Sequence, residues 1–197
     1  MLYRYENKDN TYHFFRNDSP LLTPNGSPVK TKSPVLADRL QKHLEEYGES
    51  PNNVKSIVAF VYPLIDFFSQ IPADIIKEQL LSGYDRYSDW TFNCPTANPG
   101  ILMEWVAFFG SQDQFEGCKK WIMNLNSREL CAAYVLNAAI GSLNIPYILA
   151  TNDLDQKGLK TFAKKVNEFF PYTGGVDLNK YFDNFKFFYF LEKHEQQ

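Results

Sequence analysis

The spacing of the apolar residues changes near Ser33, and this change constrains the fold more than any other sequence feature. Before it, short apolar stretches alternate with turn residues, which is typical of antiparallel strands; after it, apolar residues recur every three or four positions, as in helices. Because strand and helix segments are segregated along the chain, the sequence predicts an α+β fold. We expect a small antiparallel β-rich domain over residues 1–33 and a larger all-helical domain over residues 34–197.

Two β-hairpins are expected in the first domain. The first has a polar turn at residues 8–10 between two aromatic-rich strands. The second has its turn at residues 24–27, where Asn25-Gly26 supplies the positive φ angles that a tight turn requires.

The first helix is expected to begin after Ser33, a capping residue that precedes Pro34, and to end at Gly48. A second should run from about Val54 to Phe68, with a kink or a break at Pro63. Later helices are expected from four starting points: Pro72, Pro99, Asp153 or Asp155, and Asp177. We expect residues 110–117 to be a connector, and Pro171 with Gly174-Gly175 to stop the helix that precedes them.

The clearest helix signal lies at Asn126, which is spaced from Glu129 as in a capping box. The helix that follows is apolar on nearly every side as far as Ile145, so we expect it at the centre of the helical domain. Gly141 and Ser142 fall inside this predicted helix. Their small side chains predict close packing of a neighbouring backbone at that point.

Charge and composition argue against several functional classes. The net charge is −3 and the twenty basic residues are scattered, so nucleic-acid binding is not expected. The most apolar run, residues 130–150, is interrupted by polar residues and proline, so membrane insertion is not expected either. Three cysteines without a CxxC pair favour free thiols in a reducing compartment. The first residues lack a leader pattern, which favours a cytoplasmic location or the mitochondrial matrix after leader removal.

The sequence offers no recognisable catalytic set. The three histidines are far apart, and the spacing patterns of zinc sites, calcium loops and phosphate-binding loops do not occur. Cys94 lies beside Pro95 with no neighbouring basic residue to lower the pKa of its thiol. We therefore expect no catalytic residues, no metal and no cofactor.

Three segments, in order, resemble the ATP-twelve family of F1-ATPase assembly chaperones. The first is LTPNGSPV at residues 22–29, which contains Thr23, Pro24, Gly26 and Pro28 and leads into Ser33 and the first helix. The second is Leu-Ile-Asp at residues 64–66. The third follows the central apolar helix and comprises Gly141, Ser142, Leu143 and, further on, Leu154 and Asp155. The resemblance covers most of residues 3–170.

The resemblance implies a small antiparallel β domain joined to a helical domain. It also implies a role in holding the unassembled α subunit of the F1 ATP synthase, without catalysis or a cofactor, in bacterial cytoplasm or in the mitochondrial matrix. A chaperone of this kind must offer a surface that complements the apolar interface of its client. Exposed members of the aromatic faces are therefore the expected partner contacts: Trp105, Phe108, Tyr181 and Phe188.

Two alternatives stay open. One is a small-molecule-binding or enzymatic helical domain with a pocket lined by aromatic side chains. The other is an interaction scaffold for a different client. A monomer is the expected state in each case.

Overall fold

The computed structural model describes residues 2–110, 112–169 and 177–195. An antiparallel sheet at the N-terminus is followed by helices, which confirms the predicted α+β class. The division into two domains at residue 33 stays a prediction. The expected stops at Pro171 and Gly174-Gly175 lie outside the described residues.

The sheet is built around its second strand. Its strands are β1 (Tyr3–Lys8), β2 (Thr11–Arg16), β3 (Ser19–Pro20) and β4 (Lys30–Thr31). Strand β2 pairs antiparallel with each of the other three. Asp9 and Asn10 form the turn between β1 and β2 with φ angles of 52° and 58°, conformations that Asp and Asn tolerate better than most residues.

The second predicted turn is also present, in a loop that a single β-bridge closes and not in a longer hairpin. A β-bridge joins Leu22 to Pro28, and the N–H of Thr23 donates to the carbonyl of Ser27 at 2.9 Å. Gly26 has a φ of 82°, which only glycine adopts without strain.

Asp66 fixes this loop to the helices. Its carboxylate accepts a hydrogen bond from the Thr23 hydroxyl at 2.5 Å and another from the N–H of Asn25 at 3.3 Å. Two of the segments that carry the family resemblance, residues 22–29 and 64–66, are therefore in direct contact.

Ten α-helices lie in the described part of the chain. They are α1 (Pro34–Tyr47), α2 (Val58–Pro63), α3 (Ala73–Ser82), α4 (Pro99–Phe109), α5 (Gln112–Met123), α6 (Ser127–Ile140), α7 (Asn144–Thr151), α8 (Gln156–Phe169), α9 (Leu178–Tyr189) and α10 (Leu191–His194). The predicted cap of α1 is confirmed, because the Ser33 hydroxyl accepts from the N–H of Leu36. The capping box of Asn126 and Glu129 is confirmed as well.

Proline determines how the second helix ends. Helix α2 begins at Val58, later than predicted, and at Pro63 it continues into a π-helical turn over Leu64–Phe68. In that turn the N–H of Ser69 donates to the carbonyl of Leu64, five residues earlier, at 2.8 Å. Pro63 has no N–H to donate, so the regular hydrogen-bond ladder is interrupted at this point.

The predicted continuous helix as far as Ile145 is wrong, because α6 ends at Ile140. Gly141 caps it in the left-handed region with a φ of 69°, and α7 begins at Asn144. A Cβ atom on Gly141 would lie 3.8 Å from the nearest atom, in the Trp90 ring, which is an ordinary contact. The left-handed backbone, and not close packing, therefore explains this glycine.

The expected connector at residues 110–117 is also wrong, because α5 begins at Gln112. Phe115, Cys118 and Ile122 recur at helical spacing along it and are buried. Gly117 interrupts this apolar pattern in the sequence. A Cβ atom at this position would lie 2.8 Å from the Tyr147 hydroxyl of α7, so the glycine leaves room for that side chain.

Helix α6 lies at the centre of the helical part, as predicted. Its core residues are almost completely buried, and it packs against α2, α3, α7 and α9. Phe14, Leu21 and Val29 of the N-terminal part join the same apolar cluster. No single described helix is long and apolar enough to cross a bilayer; only α2 with its π-helical extension and α3, which are bent by 108°, reach that length and composition when taken together.

A histidine couples α1 to the start of α2. The Nδ1 atom of His43 accepts a hydrogen bond from the N–H of Ile57 at 2.9 Å, so the ring must be unprotonated at that nitrogen. Burial of the ring and the nearby positive charge of Arg39 lower the pKa of His43 to about 4.

We expect Gly141→Ala to lower the free energy of unfolding by about 1 kcal/mol, because an alanine in the left-handed region is strained. Gly141→Asn should cost less, since asparagine tolerates that conformation. Chemical denaturation followed by circular dichroism measures both. Equal stability of wild type and Gly141→Ala would contradict the proposed role of the cap.

We expect stability to decrease as the pH falls from the ordinary histidine pKa of 6.5 towards about 4. Over this window the unfolded chain binds a proton at His43 that the folded chain does not, so protonation favours unfolding. The loss should be on the order of 1–2 kcal/mol, because the ring is partly hydrated.

His43→Asn is the matched control, because its side-chain oxygen can accept from Ile57 and does not titrate. Denaturation curves at several pH values should show a shallower pH dependence for this variant. Parallel pH profiles for the two proteins would rule out His43 as the cause.

Candidate functional site

Helix α4 is the most apolar exposed element in the described part of the chain. Its eleven residues, PGILMEWVAFF, contain one charged side chain, Glu104. Asn98 caps it by accepting hydrogen bonds from the N–H groups of Gly100 and Ile101, and Pro99 is the first helical residue, as predicted.

The two sides of α4 have different surroundings. Trp105 and Phe109 are buried, and the Trp105 indole N–H donates to the carbonyl of Thr91 at 2.7 Å. Four other large apolar side chains of the helix are 42% to 74% exposed: Ile101, Leu102, Met103 and Val106. They lie beside and beyond the buried pair around the helix axis. We call these four residues the α4 face. Several large apolar side chains exposed on one short helix are typical of interaction surfaces.

The apolar spacing in the sequence did not predict this exposure. It predicts a helix with an apolar stripe formed by Leu102, Trp105, Val106 and Phe109, but only Trp105 and Phe109 reach the core. The nearly uniform apolar composition of α4 could have indicated the exposure, because a helix that is apolar all round must be covered on more than one side to be buried.

A groove of about 230 Å³ runs beside the α4 face. Leu102 and Val106 form one wall, and the segment between α3 and α4 forms the other with Tyr87, Phe92 and Cys94. Arg86 is the one charged residue in the lining. The groove is below the range of about 300–1,000 Å³ that is usual for small-molecule sites, so its size suits an inserted side chain.

The segment that forms the second wall is held by side-chain hydrogen bonds. The amide of Asn93 donates to the carbonyls of Arg86, Tyr87 and Asp89 at 2.7 to 3.1 Å. Because these contacts enclose the whole turn, the wall keeps a fixed shape although it contains little regular secondary structure.

A buried carboxylate anchors the same segment to the centre of the protein. Asp89 accepts five hydrogen bonds, from the Tyr84 hydroxyl, from the N–H and hydroxyl of Thr91, and from the N–H groups of Leu143 and Asn144. The last two groups lie at the N-terminus of α7, where a negative charge is favoured. Asp89 thus caps a helix from which it is separated by more than fifty residues.

Asn144 extends this network to α4 and α5. Its amide nitrogen donates to the Thr91 hydroxyl at 3.0 Å and to the carbonyl of Phe109 at 2.8 Å. Its amide oxygen accepts from the side chain of Gln114 at 3.0 Å. The C-terminus of α4 is therefore fixed to the same buried polar cluster that fixes the opposite wall of the groove.

The protic groups beside this cluster are held in their neutral forms. Burial raises the pKa of the Cys118 thiol to about 12. Burial also raises the pKa of Tyr84, whose hydroxyl lies 3.6 Å from the sulfur of Cys118. A thiol with so high a pKa is a poor nucleophile at neutral pH.

The four predicted partner contacts differ in exposure. Trp105 and Phe188 are 4% and 0% exposed and belong to the core, although Trp105 also lines the groove beside the α4 face. Phe108 is partly exposed and stacks on Phe162, with ring centroids 5.1 Å apart. Tyr181 is also partly exposed. A partner role for Phe108 and Tyr181 stays a prediction.

The residues of the family resemblance have structural positions. Thr23, Pro24, Gly26 and Pro28 lie in the loop that Asp66 binds. The Ser142 hydroxyl accepts from the N–H of Ile145 in the first turn of α7, and Asp155 accepts from the N–H of Gly158 at the start of α8. The structure does not bring these three groups together at one site.

A larger cleft of about 810 Å³ lies between the start of α8 and helices α9 and α10. Several of its polar groups contact neighbours within the protein. Arg39 pairs with Asp183 at 2.5 Å, Lys186 donates to the carbonyl of Leu154 at 2.6 Å, and His194 stacks on Phe187. Among the described residues no group of three or more His, Cys, Asp or Glu side chains is arranged to hold a metal ion.

No family model, curated protein or solved structure matches this chain. A functional proposal therefore depends on the chemistry of the α4 face and its groove, and on the sequence motifs quoted above.

We expect Asp89→Asn to lower the free energy of unfolding by about 2–3 kcal/mol. The amide has the shape of the carboxylate, but it loses the negative charge and turns an N–H₂ group towards hydrogen-bond donors. Glu78→Gln removes the same charge from an exposed position on α3 and should change stability by less than about 0.5 kcal/mol. Equal denaturation midpoints for the two variants would contradict the anchoring role of Asp89.

Proposed function

We propose that this protein is a non-catalytic assembly chaperone that covers an apolar surface of an unassembled protein. The α4 face carries this proposal, because four large apolar side chains are exposed on one helix that Trp105 and Phe109 fix to the core. Removing apolar area from water contributes about 25 cal/mol per Å², so such a face gains free energy when a complementary surface covers it.

The rigidity of the site supports a binding role. Asp89, Asn93 and Asn144 hold both walls of the groove through buried or partly buried hydrogen bonds. A preformed surface loses little conformational entropy when a partner binds.

The α subunit of the F1 ATP synthase is the client that we propose. Support comes from the ordered segments that resemble the ATP-twelve family, and from the contact of two of them through Asp66 with Thr23 and Asn25. On this proposal the protein acts as a monomer in the bacterial cytoplasm or the mitochondrial matrix.

The size of the 810 Å³ cleft favours a second candidate, the binding of a small molecule. Against it, Arg39, Asp183 and Lys186 each already contact a protein group. A ligand that used these three groups would have to replace those contacts, which lowers the gain from binding.

We expect the double substitution Met103→Glu, Val106→Glu to weaken binding of the purified F1 α subunit at least about 10-fold, since it places two charges in an apolar interface. Glutamate is a good helix former and both positions are exposed, so α4 should stay folded. Isothermal titration calorimetry measures the affinity, and light scattering measures how well each variant prevents aggregation of the α subunit.

The double substitution Ile75→Glu, Met123→Glu is the matched control, because it puts two negative charges on exposed apolar positions of α3 and α5. It should bind the α subunit as the wild type does, and thermal melting should show that both variants are folded. Undiminished binding by a folded Met103→Glu, Val106→Glu variant would refute the α4 face as the client site. Failure of the wild type to bind would refute the client.

A further inference from the structure

We propose that the groove beside α4 receives an amphipathic helix of the client that carries an acidic residue next to its apolar anchor. This inference rests on the proposed function, because it takes the α4 face as the client site. It adds the chemistry of the client segment, which three features of the groove define.

The first feature is the charge of the lining. Arg86 is the one charged side chain among the residues that line the groove, and the other lining residues are mostly apolar. Its guanidinium lies over the ring of Tyr87, 4.7 Å from the centroid, and bonds to the Tyr87 hydroxyl. Among the described residues Arg86 has no carboxylate partner within ion-pair distance, so a carboxylate from outside is the complementary group.

The second feature is the state of the backbone along the groove. The carbonyls of Arg86 and Tyr87 accept from Asn93, and the carbonyl of Thr91 accepts from Trp105. On the other wall the backbone belongs to helix α4. These three carbonyls are therefore not available to pair with an extended peptide, whereas a helix satisfies its own backbone and needs only side-chain contacts.

The third feature is the shape. Leu102 and Val106 are four residues apart and form a ridge along α4. The space of 230 Å³ next to this ridge admits an apolar side chain, but it is small for a free metabolite. A helix that packs along the ridge can insert one anchor into the space and place a carboxylate against Arg86.

Cys94 provides a local probe. It lines the groove and is partly exposed, whereas Cys118 and Cys131 are buried. Alkylation by iodoacetamide should therefore occur first at Cys94, and a helix in the groove should slow it. Mass spectrometry of the alkylated peptide gives the rate.

The test uses three designed amphipathic peptides of about 18 residues, which is long enough for a helix to form in water. They share one leucine face and differ only at the residue beside the central leucine, which is Glu, Gln or Lys. Fluorescence anisotropy measures the affinity of each peptide for the intact protein. We expect the Glu peptide to bind at least about 10-fold more tightly than the Lys peptide and to protect Cys94 from alkylation.

Arg86→Glu should reverse the order, so that the Lys peptide binds more tightly than the Glu peptide. Lys160→Glu makes the same charge change on an exposed position of α8 outside the groove, and it should leave the order unchanged. If the net charge of the protein determined which peptide binds more tightly, both variants would change the order of peptide affinities in the same way.

The proposal is overturned if the three peptides bind equally, if none binds, or if binding leaves the alkylation of Cys94 unchanged. Self-association that Met103→Glu abolishes would also overturn it, because a second copy would then be the occupant. If the acidic peptide behaves as expected but the F1 α subunit does not bind, the client is wrong and the chemistry of the groove stands. If the α subunit binds and the peptides show no charge order, the client is right and the proposed chemistry of the groove is wrong.

Discussion

The buried carboxylate of Asp89 is the interaction on which the arrangement of the helical part depends. A charge taken out of water is costly unless hydrogen bonds replace its hydration, and here five donors do so. These donors belong to the segment between α3 and α4 and to the start of α7. Because all of them bind one carboxylate, Asp89 fixes two regions that are distant in sequence. Asn144 carries the same network to the end of α4, which makes the position of the α4 face a consequence of buried polar contacts.

Helix α4 contributes to both the core and the groove. Trp105 and Phe109 are buried in the core, whereas Leu102 and Val106 beside them have no cover. An exposed apolar face lowers solubility unless a partner covers it, so its presence on a rigidly held helix is coherent with a protein that binds others. The proposed binding role uses the exposure of the α4 face, and the proposed client uses the sequence segments alone.

Local signals gave correct predictions where the physical cause is local. The turn at Asp9, the cap at Ser33 and the capping box at Asn126 depend on residues within a few positions of each other, and each is present. The helix break at Gly141 was missed because the apolar pattern continues across it, and periodicity alone does not report a single left-handed residue. The helix at residues 112–123 was missed in part because Gly117 interrupts a pattern whose packing partner lies on α7.

The sequence by itself determined the segregation of strands and helices, most helix starts and the central position of α6, because these follow from spacing and capping. Only the tertiary structure decided which apolar side chains are covered. Trp105 and Phe188 belong to the core, whereas Met103 is exposed, although all three are large and apolar. Burial depends on which elements meet in space, and that is set by long-range contacts such as those of Asp89, which no local pattern encodes.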